Sequence, residues 1–241
     1  MCTVTIIPKA NKGFVLTSNR DEAPDRISLE PDFYMTNGIK TLFPKDEVAG
    51  GTWIGLSDKN RVVCVLNGGF IGHKRKLNYR KSRGMVAKDF MVVDNIEDTI
   101  ETYNLQDIEP FTMIIIDWNA GLKFYEMVWD GERKHFKPLP HEPRIWSSST
   151  LYSEDMKKER LSWFESFKDD NELGEASVLK FHRTAGGDNK DFGVIMDRGF
   201  VKTTSITQVV KEVGSVRMHY ENLHNKTMTT KTWNLPQVVN G

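Results

Sequence analysis

The chain has 241 residues, of which 39% are hydrophobic and 27% charged, as is typical of a folded globular protein. Basic and acidic residues number 33 each, so the zero net charge excludes a strong overall attraction to nucleic acid or to membranes. The apolar runs are shorter than the ~18 residues of a membrane-spanning helix, and the first is too short for a secretion signal. We therefore expect a cytoplasmic protein that forms a single domain over residues 1–241.

Strand patterns dominate the first two-thirds of the chain and return near its end. Each predicted strand is rich in β-branched and apolar residues, and glycine, asparagine or aspartate separates it from the next. The predicted strands cover residues 3–7, 14–18, 50–57, 60–69, 111–117, 121–129, 132–139, 200–210 and 215–223. Their short connections indicate hairpins, and therefore largely antiparallel sheets.

Helical patterns lie between these strand sets. The two clearest begin at serines that are predicted N-caps, Ser82 and Ser153. The predicted helices cover residues 82–93, 95–103, 153–167 and a short stretch near 173–182. Blocks of hairpins and blocks of helices predict an α+β domain in which helices cover the sheets.

The first hairpin brings Cys2 towards the acidic end of the second strand. A turn of two or three residues within 11–13 places Cys2 opposite Asp21, Glu22 or Ala23. Facing Cβ atoms in such a pair lie roughly 4.5–5.5 Å apart. The spacing therefore predicts that Cys2 lies beside the segment "NRDE" (19–22).

This grouping suits nucleophilic catalysis. If Met1 is removed, Cys2 carries a thiol with a pKa of about 8.5 and an α-amine with a pKa of about 7.7–8.0. The neutral amine can take the thiol proton, while Asp21 orients the amine and Arg20 lowers the pKa of the thiol. Because residues alternate along a strand, Asn19 and Asp21 share one face and Arg20 lies on the other unless the chain bulges.

Five segments carry a resemblance to a known family. They are "MCTVTIIP" (1–8), "TSNRDEAPDR" (17–26), "VAGGTWIGL" (48–56), "VLNGG" (65–69) and "KSRGMVAKDF" (81–90). Together they resemble the NRDE family, also called the transport-and-Golgi-organisation-2 family. That family is similar to the N-terminal-nucleophile (Ntn) hydrolases, which include penicillin V acylases and bile salt hydrolases. The resemblance implies a four-layer αββα sandwich with largely antiparallel sheets.

The resemblance also implies roles for individual residues. Cys2 corresponds to the nucleophile, Asp21 to the residue that holds its amine, and Asn67 to an oxyanion-hole amide. The expected catalytic group also includes Arg20, which the spacing of the first hairpin, rather than the resemblance, places near Cys2. The expected substrate-binding residues are Asn19, Gly68, Ser149 and Lys202. An alternative role for the Asn67 amide is to cap the turn before Gly68.

The run "HKRKLNYRKSR" (73–83) holds one histidine and six lysines or arginines. It follows Asn67 closely, so it is expected either to border the same cleft and favour an anionic ligand or to be a solvated loop. Cys64 lies in an apolar strand and is expected to be an inert core thiol, with a Cys2–Cys64 disulfide as the alternative. No histidines have the spacing of a zinc site, so no metal is expected.

Two functions from different classes follow. The first is an Ntn-type amidohydrolase that cleaves a linear amide, ester or thioester of a small molecule through Cys2, without a cofactor and without nucleic acid. The second is a non-catalytic ligand-binding or trafficking protein, because the family is associated with haem and lipid handling. In that case haem would occupy the same cleft, with Cys2 as a candidate axial ligand.

Overall fold

Two antiparallel β-sheets packed face to face form the centre of the computed structural model, which describes residues 3–235. The strands are β1 (Thr3–Pro8), β2 (Phe14–Glu22), β3 (Ser28–Thr36), β4 (Ile39–Asp46), β5 (Ile54–Ser57), β6 (Arg61–Asn67), β7 (Phe111–Asp117), β8 (Lys123–Trp129), β9 (Lys134–Leu139), β10 (Arg144–Ser147), β11 (Lys202–Lys211), β12 (Ser215–Asn222) and β13 (Thr227–Asn234). The helices are α1 (Arg83–Val92), α2 (Ile96–Thr102), α3 (Glu154–Asp170) and α4 (Glu175–Thr184).

The elements form four layers. The first sheet has the strand order β10-β1-β2-β11-β12-β13, and the second has the order β3-β4-β5-β6-β7-β8-β9. One apolar core lies between the sheets and includes Val4, Leu16 and Ile114. A second core joins α1 and α2 to the outer face of the second sheet, and a third joins α3 and α4 to the outer face of the first. The order is therefore helices, sheet, sheet, helices, which confirms the predicted αββα sandwich.

Side-chain alternation explains how β1 and β2 serve two cores at once. Val4 and Leu16 point between the sheets, whereas Ile7 and Val15 point towards Phe164 of α3. Both faces are apolar, so these strands read as nearly continuous hydrophobic runs. The same alternation continues to the end of β2 and decides which layer each polar residue there meets.

The predicted hairpins and the four predicted helices are confirmed, with ends shifted by a few residues. The predicted caps are also confirmed, because the Ser82 and Ser153 hydroxyls accept hydrogen bonds from the third following backbone N–H. Four strands were not predicted, namely β3, β4, β10 and β13.

The turn predicted for the first hairpin is wrong. Thr3 lies opposite Asn19 and Pro8 opposite Phe14, so the loop comprises residues 9–13 rather than two or three residues within 11–13. Lys9 N–H donates to the Gly13 carbonyl at 2.9 Å, and Lys12 has a φ of 58°. Compared with a two-residue turn at 11–12, the longer loop places each residue of β1 opposite a residue of β2 that is one position earlier in the sequence.

Within residues 3–235 no helix is both long and apolar enough to cross a lipid bilayer.

Candidate functional site

A cavity of about 290 Å³ opens where the ends of β2, β4 and β6 meet the basic run. Two of the predicted catalytic residues, Arg20 and Asn67, line it. Basic side chains outnumber acidic ones in its walls, which include Arg26, Asp46, Trp53, Arg75, Arg83 and Glu109. Met1 and Cys2 lie outside the described residues, so the predicted nucleophile is not located directly.

Arg20 is buried between the two sheets, with 3% of its surface exposed. Its guanidinium donates to Asp46 Oδ2 at 2.8 Å and lies 4.6 Å from the centroid of the Trp53 ring. It also donates to the Thr204 hydroxyl, on a residue where a β-bulge interrupts the pairing of β2 with β11. Burial lowers the pKa of Arg20, and the carboxylates of Glu22 and Asp46 oppose that shift. The result is a fixed positive charge in the cavity wall.

Asp21 points to the opposite face of β2, as strand alternation predicts. Its carboxylate accepts hydrogen bonds from the Tyr152 hydroxyl at 2.5 Å and from the Thr203 hydroxyl at 2.6 Å. The Arg160 guanidinium lies over the Tyr152 ring at 3.6 Å and donates to the Thr3 hydroxyl at 2.6 Å. Asp21 is therefore held in the layer of α3, beside the first described residue of β1, and it does not line the cavity.

Asn67 ends β6 at a junction between the two sheets. Its backbone carbonyl accepts a hydrogen bond from the Ser148 hydroxyl at 2.8 Å, just beyond the end of β10. Within residues 3–235 no hydrogen bond engages its side-chain amide, which belongs to the wall of the cavity. The amide is thus available to a ligand, and the turn-capping role considered above has no support in these contacts.

Gly68 and Ser149 meet beside Asn67. Gly68 has a φ of 87°, and a Cβ atom there would lie 3.0 Å from the Thr150 methyl group and 3.2 Å from the Ser149 Cβ. Only glycine combines this conformation with such a close approach. The Ser149 hydroxyl donates to the Gly69 carbonyl at 2.5 Å. The structure therefore brings these two predicted residues to Asn67, although neither lines the cavity.

Asn19 and Lys202 lie elsewhere. The Asn19 amide donates to the carbonyls of His182 and Val194, and its side-chain oxygen is 2.6 Å from His182 Nδ1. These contacts join β2 to α4 in the outer layer. Lys202 lies opposite Glu22 and lines a separate cavity of about 430 Å³. The structure thus groups Arg20 with Asn67 and separates both from Asn19 and Lys202.

His182 should give the protein a distinct acid sensitivity. The ring is fully buried between Asn19 and Thr5, and burial, together with the nearby Arg160, lowers its pKa from 6.5 to about 3. Its stabilising contribution is present above pH 6.5 and falls as the pH drops towards 3, by ~1.4 kcal/mol per pH unit. We expect the loss in unfolding free energy between pH 6.5 and pH 5 to be ~2 kcal/mol smaller in His182→Gln than in the parent.

Urea unfolding of both proteins at the two pH values measures this difference. The variant's own loss of stability cancels, because the comparison is between two pH values of one protein. An equal pH dependence in parent and variant would contradict the assignment.

The basic run borders the cavity, which is one of the two alternatives that the sequence left open. Arg75 and Arg83 approach Glu109 at 3.9 and 3.2 Å, and the His73 ring is 3.3 Å from the same carboxylate. Burial lowers the pKa of Arg83, and the negative charge of Glu109 offsets part of that shift. Glu109 therefore contacts two arginines that line the cavity and the His73 ring, which does not line it.

Cys64 is the inert thiol that the sequence predicts. It is fully buried between the sheets as a free cysteine, and burial raises the pKa of its thiol to about 12. A thiol with this pKa is almost entirely protonated at neutral pH, so Cys64 is a poor nucleophile.

Three important residues had no sequence prediction. Asp46 positions Arg20, whereas the hydroxyls of Tyr152 and Thr203 hold Asp21. Each of the three belongs to a segment that is distant in sequence from its partner. For Asp46 a signal existed, because an acidic residue shortly before "GGTWIGL" ends β4 next to the cavity. Nothing in the sequence marks the other two.

The comparisons with known proteins agree with this fold. The sequence model described as Transport and Golgi organisation 2 matches residues 1–175, and no curated protein sequence matches the chain. Among solved structures, penicillin V acylase from Agrobacterium tumefaciens is similar with a TM-score of 0.57 and 9% identity, over 95% of this chain and 85% of that one.

Two further structures are similar over nearly their whole length. The Caenorhabditis elegans orthologue of N-acylethanolamine-hydrolyzing acid amidase has a TM-score of 0.57 and 12% identity, with 98% of this chain and 100% of that chain covered. A variant of conjugated bile acid hydrolase from Clostridium perfringens has a TM-score of 0.53 and 12% identity, with 99% and 100% covered. At these identities the similarity establishes the fold alone.

Proposed function

Because the chain belongs to the Transport and Golgi organisation 2 family, whose sequence model matches residues 1–175, we propose that it is an Ntn-type hydrolase with Cys2 as nucleophile once Met1 is removed. Its substrate is a linear amide, ester or thioester. The similar solved structures are named as acylase, hydrolase and amidase, which is the reaction class proposed here. The observation that carries the proposal is the position of Thr3, the first described residue of β1. Thr3 lies between β2, which ends with Arg20 and Asp21 close by, and β10, which leads to the junction at Asn67.

Strand pairing supports this placement. Thr3 pairs with Asn19 on one side and with Ser147 on the other. The next residues beyond these partners are Arg20, in the cavity wall, and Ser148, which bonds to the carbonyl of Asn67. Cys2 is covalently joined to Thr3, with their Cα atoms ~3.8 Å apart. Continuation of both strand pairings by one residue beyond Thr3 would therefore lead to Arg20 and to Ser148.

The proposed chemistry is an acyl transfer in two steps. The neutral α-amine of Cys2 takes the thiol proton, and the sulfur attacks the substrate carbonyl to form a C–S bond. The Asn67 amide donates to the oxyanion, and the amine returns the proton to the leaving nitrogen, oxygen or sulfur as its bond to carbon breaks. Water then attacks the acyl thioester, which releases the acid and regenerates the thiol. Asp21 holds the protonated amine, while Arg20 favours the thiolate.

The cavity also indicates the kind of substrate. Five basic residues line it against three acidic ones, since Arg20, Arg26, Arg75, Lys81 and Arg83 face Glu22, Asp46 and Glu109. This excess favours a small anionic ligand, such as one with a carboxylate or phosphate. Within the described chain no histidine lines the cavity, so the haem-binding alternative would depend on the Cys2 thiolate as axial ligand.

Acyl labelling of the purified protein tests the proposal. The intact mass shows whether Met1 has been removed, and a thiol-reactive acyl probe should then add one acyl group at Cys2. Cys64 is an internal control, because a buried thiol with a pKa of about 12 should stay unlabelled.

Two variants complete this experiment. Cys2→Ala should lose the label, and Cys64→Ala should keep it. Retention of Met1 with no adduct, or an adduct at Cys64 instead, would remove Cys2 as the nucleophile.

A further inference from the structure

The cavity mouth carries a short loop, residues 70–77, that combines exposed apolar side chains with exposed basic ones. Ile71 is 76% exposed, Phe70 52%, and Leu77 fully exposed. Lys74, Arg75 and Lys76 lie between these apolar side chains and are also exposed. We refer to residues 70–77 as the apolar-basic loop.

Its positive charge is local rather than general. The whole chain has no net charge, yet residues 59–88 contain no aspartate or glutamate. Two acidic residues from another segment approach the loop, since Glu109 lies 3.9 Å from Arg75 and Asp107 lies 3.5 Å from Lys76. The positive charges still exceed these two carboxylates, so the surface complements an anionic partner.

Contacts attach the loop to the protein near both of its ends, whereas Ile71 and Leu77 remain in solvent. Arg80 donates to the carbonyls of Asn104 and Gln106, and the Lys76 backbone N–H donates to the Tyr79 hydroxyl at 3.0 Å. The Phe70 ring packs edge-on against His135, with centroids 4.8 Å apart. The loop therefore presents Ile71 and Leu77 to solvent between two segments that are attached to the rest of the protein.

From this combination we propose that the apolar-basic loop docks on an anionic lipid surface. Aliphatic side chains that project fully into water gain most by entering the boundary between headgroups and acyl chains. The neighbouring lysines and arginines are attracted to acidic headgroups at the same depth. A polyanion such as nucleic acid would match the charges but would leave Ile71 and Leu77 in water.

Docking would also orient the cavity. Arg75 and Leu77 belong both to the loop and to the cavity wall, so the mouth would face the lipid headgroups. In this respect the inference rests on the proposed function, because the substrate would then be an amphiphile whose anionic end enters the basic cavity from the membrane.

Vesicle binding tests the docking surface without using the Cys2 chemistry. We expect the purified full chain to sediment with phosphatidylcholine vesicles that contain phosphatidylserine, and to bind pure phosphatidylcholine much more weakly. Added salt should weaken the binding. The double substitution of Ile71→Ser and Leu77→Ser should lower the partition coefficient by roughly tenfold.

Matched controls separate the loop from general surface effects. Ile71→Ser is compared with Val213→Ser, because Val213 is 77% exposed in the turn between β11 and β12, at the other end of the first sheet. Lys76→Glu is compared with Lys158→Glu, because Lys158 is also exposed and lies 3.4 Å from one aspartate. The loop variants should weaken vesicle binding, and the controls should not.

The outcomes distinguish this inference from the proposed function. Cys2→Ala should bind vesicles like the parent even though it loses the acyl label, so failure of either idea leaves the other standing. Absence of binding to phosphatidylserine vesicles, or equal binding by the parent and the Ile71/Leu77 double variant, would overturn the inference. Tight RNA binding that ignores both apolar substitutions would assign the loop to a polyanion instead.

Discussion

Replacing Asn67 with alanine is expected to lower kcat for Cys2-dependent acyl hydrolysis by about 10²–10³-fold. In the proposed mechanism, the amide donates to an oxygen that becomes negatively charged in the transition state. No hydrogen bond within residues 3–235 engages this amide in the free protein, so the donor needs no release from another partner. KM should change little, because a neutral carbonyl gains less from the same donor.

The control for this substitution lies in the same cavity. Asn78→Ala removes a second asparagine amide from the cavity wall and should leave kcat within a few-fold of the parent. Folding should survive in Asn67→Ala, since the bond to the Ser148 hydroxyl uses the backbone carbonyl of residue 67. Equal effects of the two substitutions on kcat, or an effect of Asn67→Ala confined to KM, would exclude the oxyanion role.

Replacing Asp46 with alanine is expected to lower the unfolding free energy by ~3–5 kcal/mol. Asp46 accepts hydrogen bonds from Arg20 and Arg26 at 2.8 Å each and from the Ala49 backbone N–H. Its removal leaves the buried Arg20 guanidinium with Glu22 as its nearest carboxylate, 3.8 Å away. Chemical denaturation at neutral pH measures the loss.

An exposed ion pair provides the comparison for Asp46. Asp32 lies 3.2 Å from Lys231 with 61% of its side chain exposed, so Asp32→Ala should cost less than ~1 kcal/mol. A similar cost for both substitutions would show that the Arg20 pair contributes no more than a surface contact.

The Asp46 effect should also depend on pH. Burial alone would raise the pKa of Asp46, but its hydrogen bonds from Arg26 and Ala49 and the charges of Arg26 and Arg20 hold it below the ordinary 3.8. A lowered carboxyl pKa stabilises the fold above the ordinary value and loses that contribution as the pH falls through the folded value. The stability gap between parent and Asp46→Ala should therefore be full at pH 7 and narrow below about pH 4.

The fold could be predicted to a large extent because its central strands carry strong local signals. β1, β2, β6 and β7 are buried on both faces, so they appear in the sequence as apolar runs bounded by turns. Three of the missed strands, β3, β10 and β13, lack this signal. β3 and β13 lie at sheet edges with largely exposed residues, and β10 has only four residues.

The site was predictable only in part, because its geometry depends on contacts between distant segments. Arg20 follows from the spacing of the first hairpin and Asn67 from the family resemblance, and the structure places both in one cavity. The distance of Asn19 from that cavity depends on its bonds to His182, which is 163 residues away in the sequence. No local pattern reveals such a contact, and the same applies to Tyr152 beside Asp21.

The opposite orientations of Arg20 and Asp21 have a consequence for how this chain can change in length. An added or deleted residue within β2 would turn both side chains over together, sending the guanidinium among the helices and the carboxylate between the sheets. Each charge would then be buried away from the groups that balance it. Insertions should accordingly be tolerated in the connecting loop at 9–13, and not in the nine residues from Phe14 to Glu22.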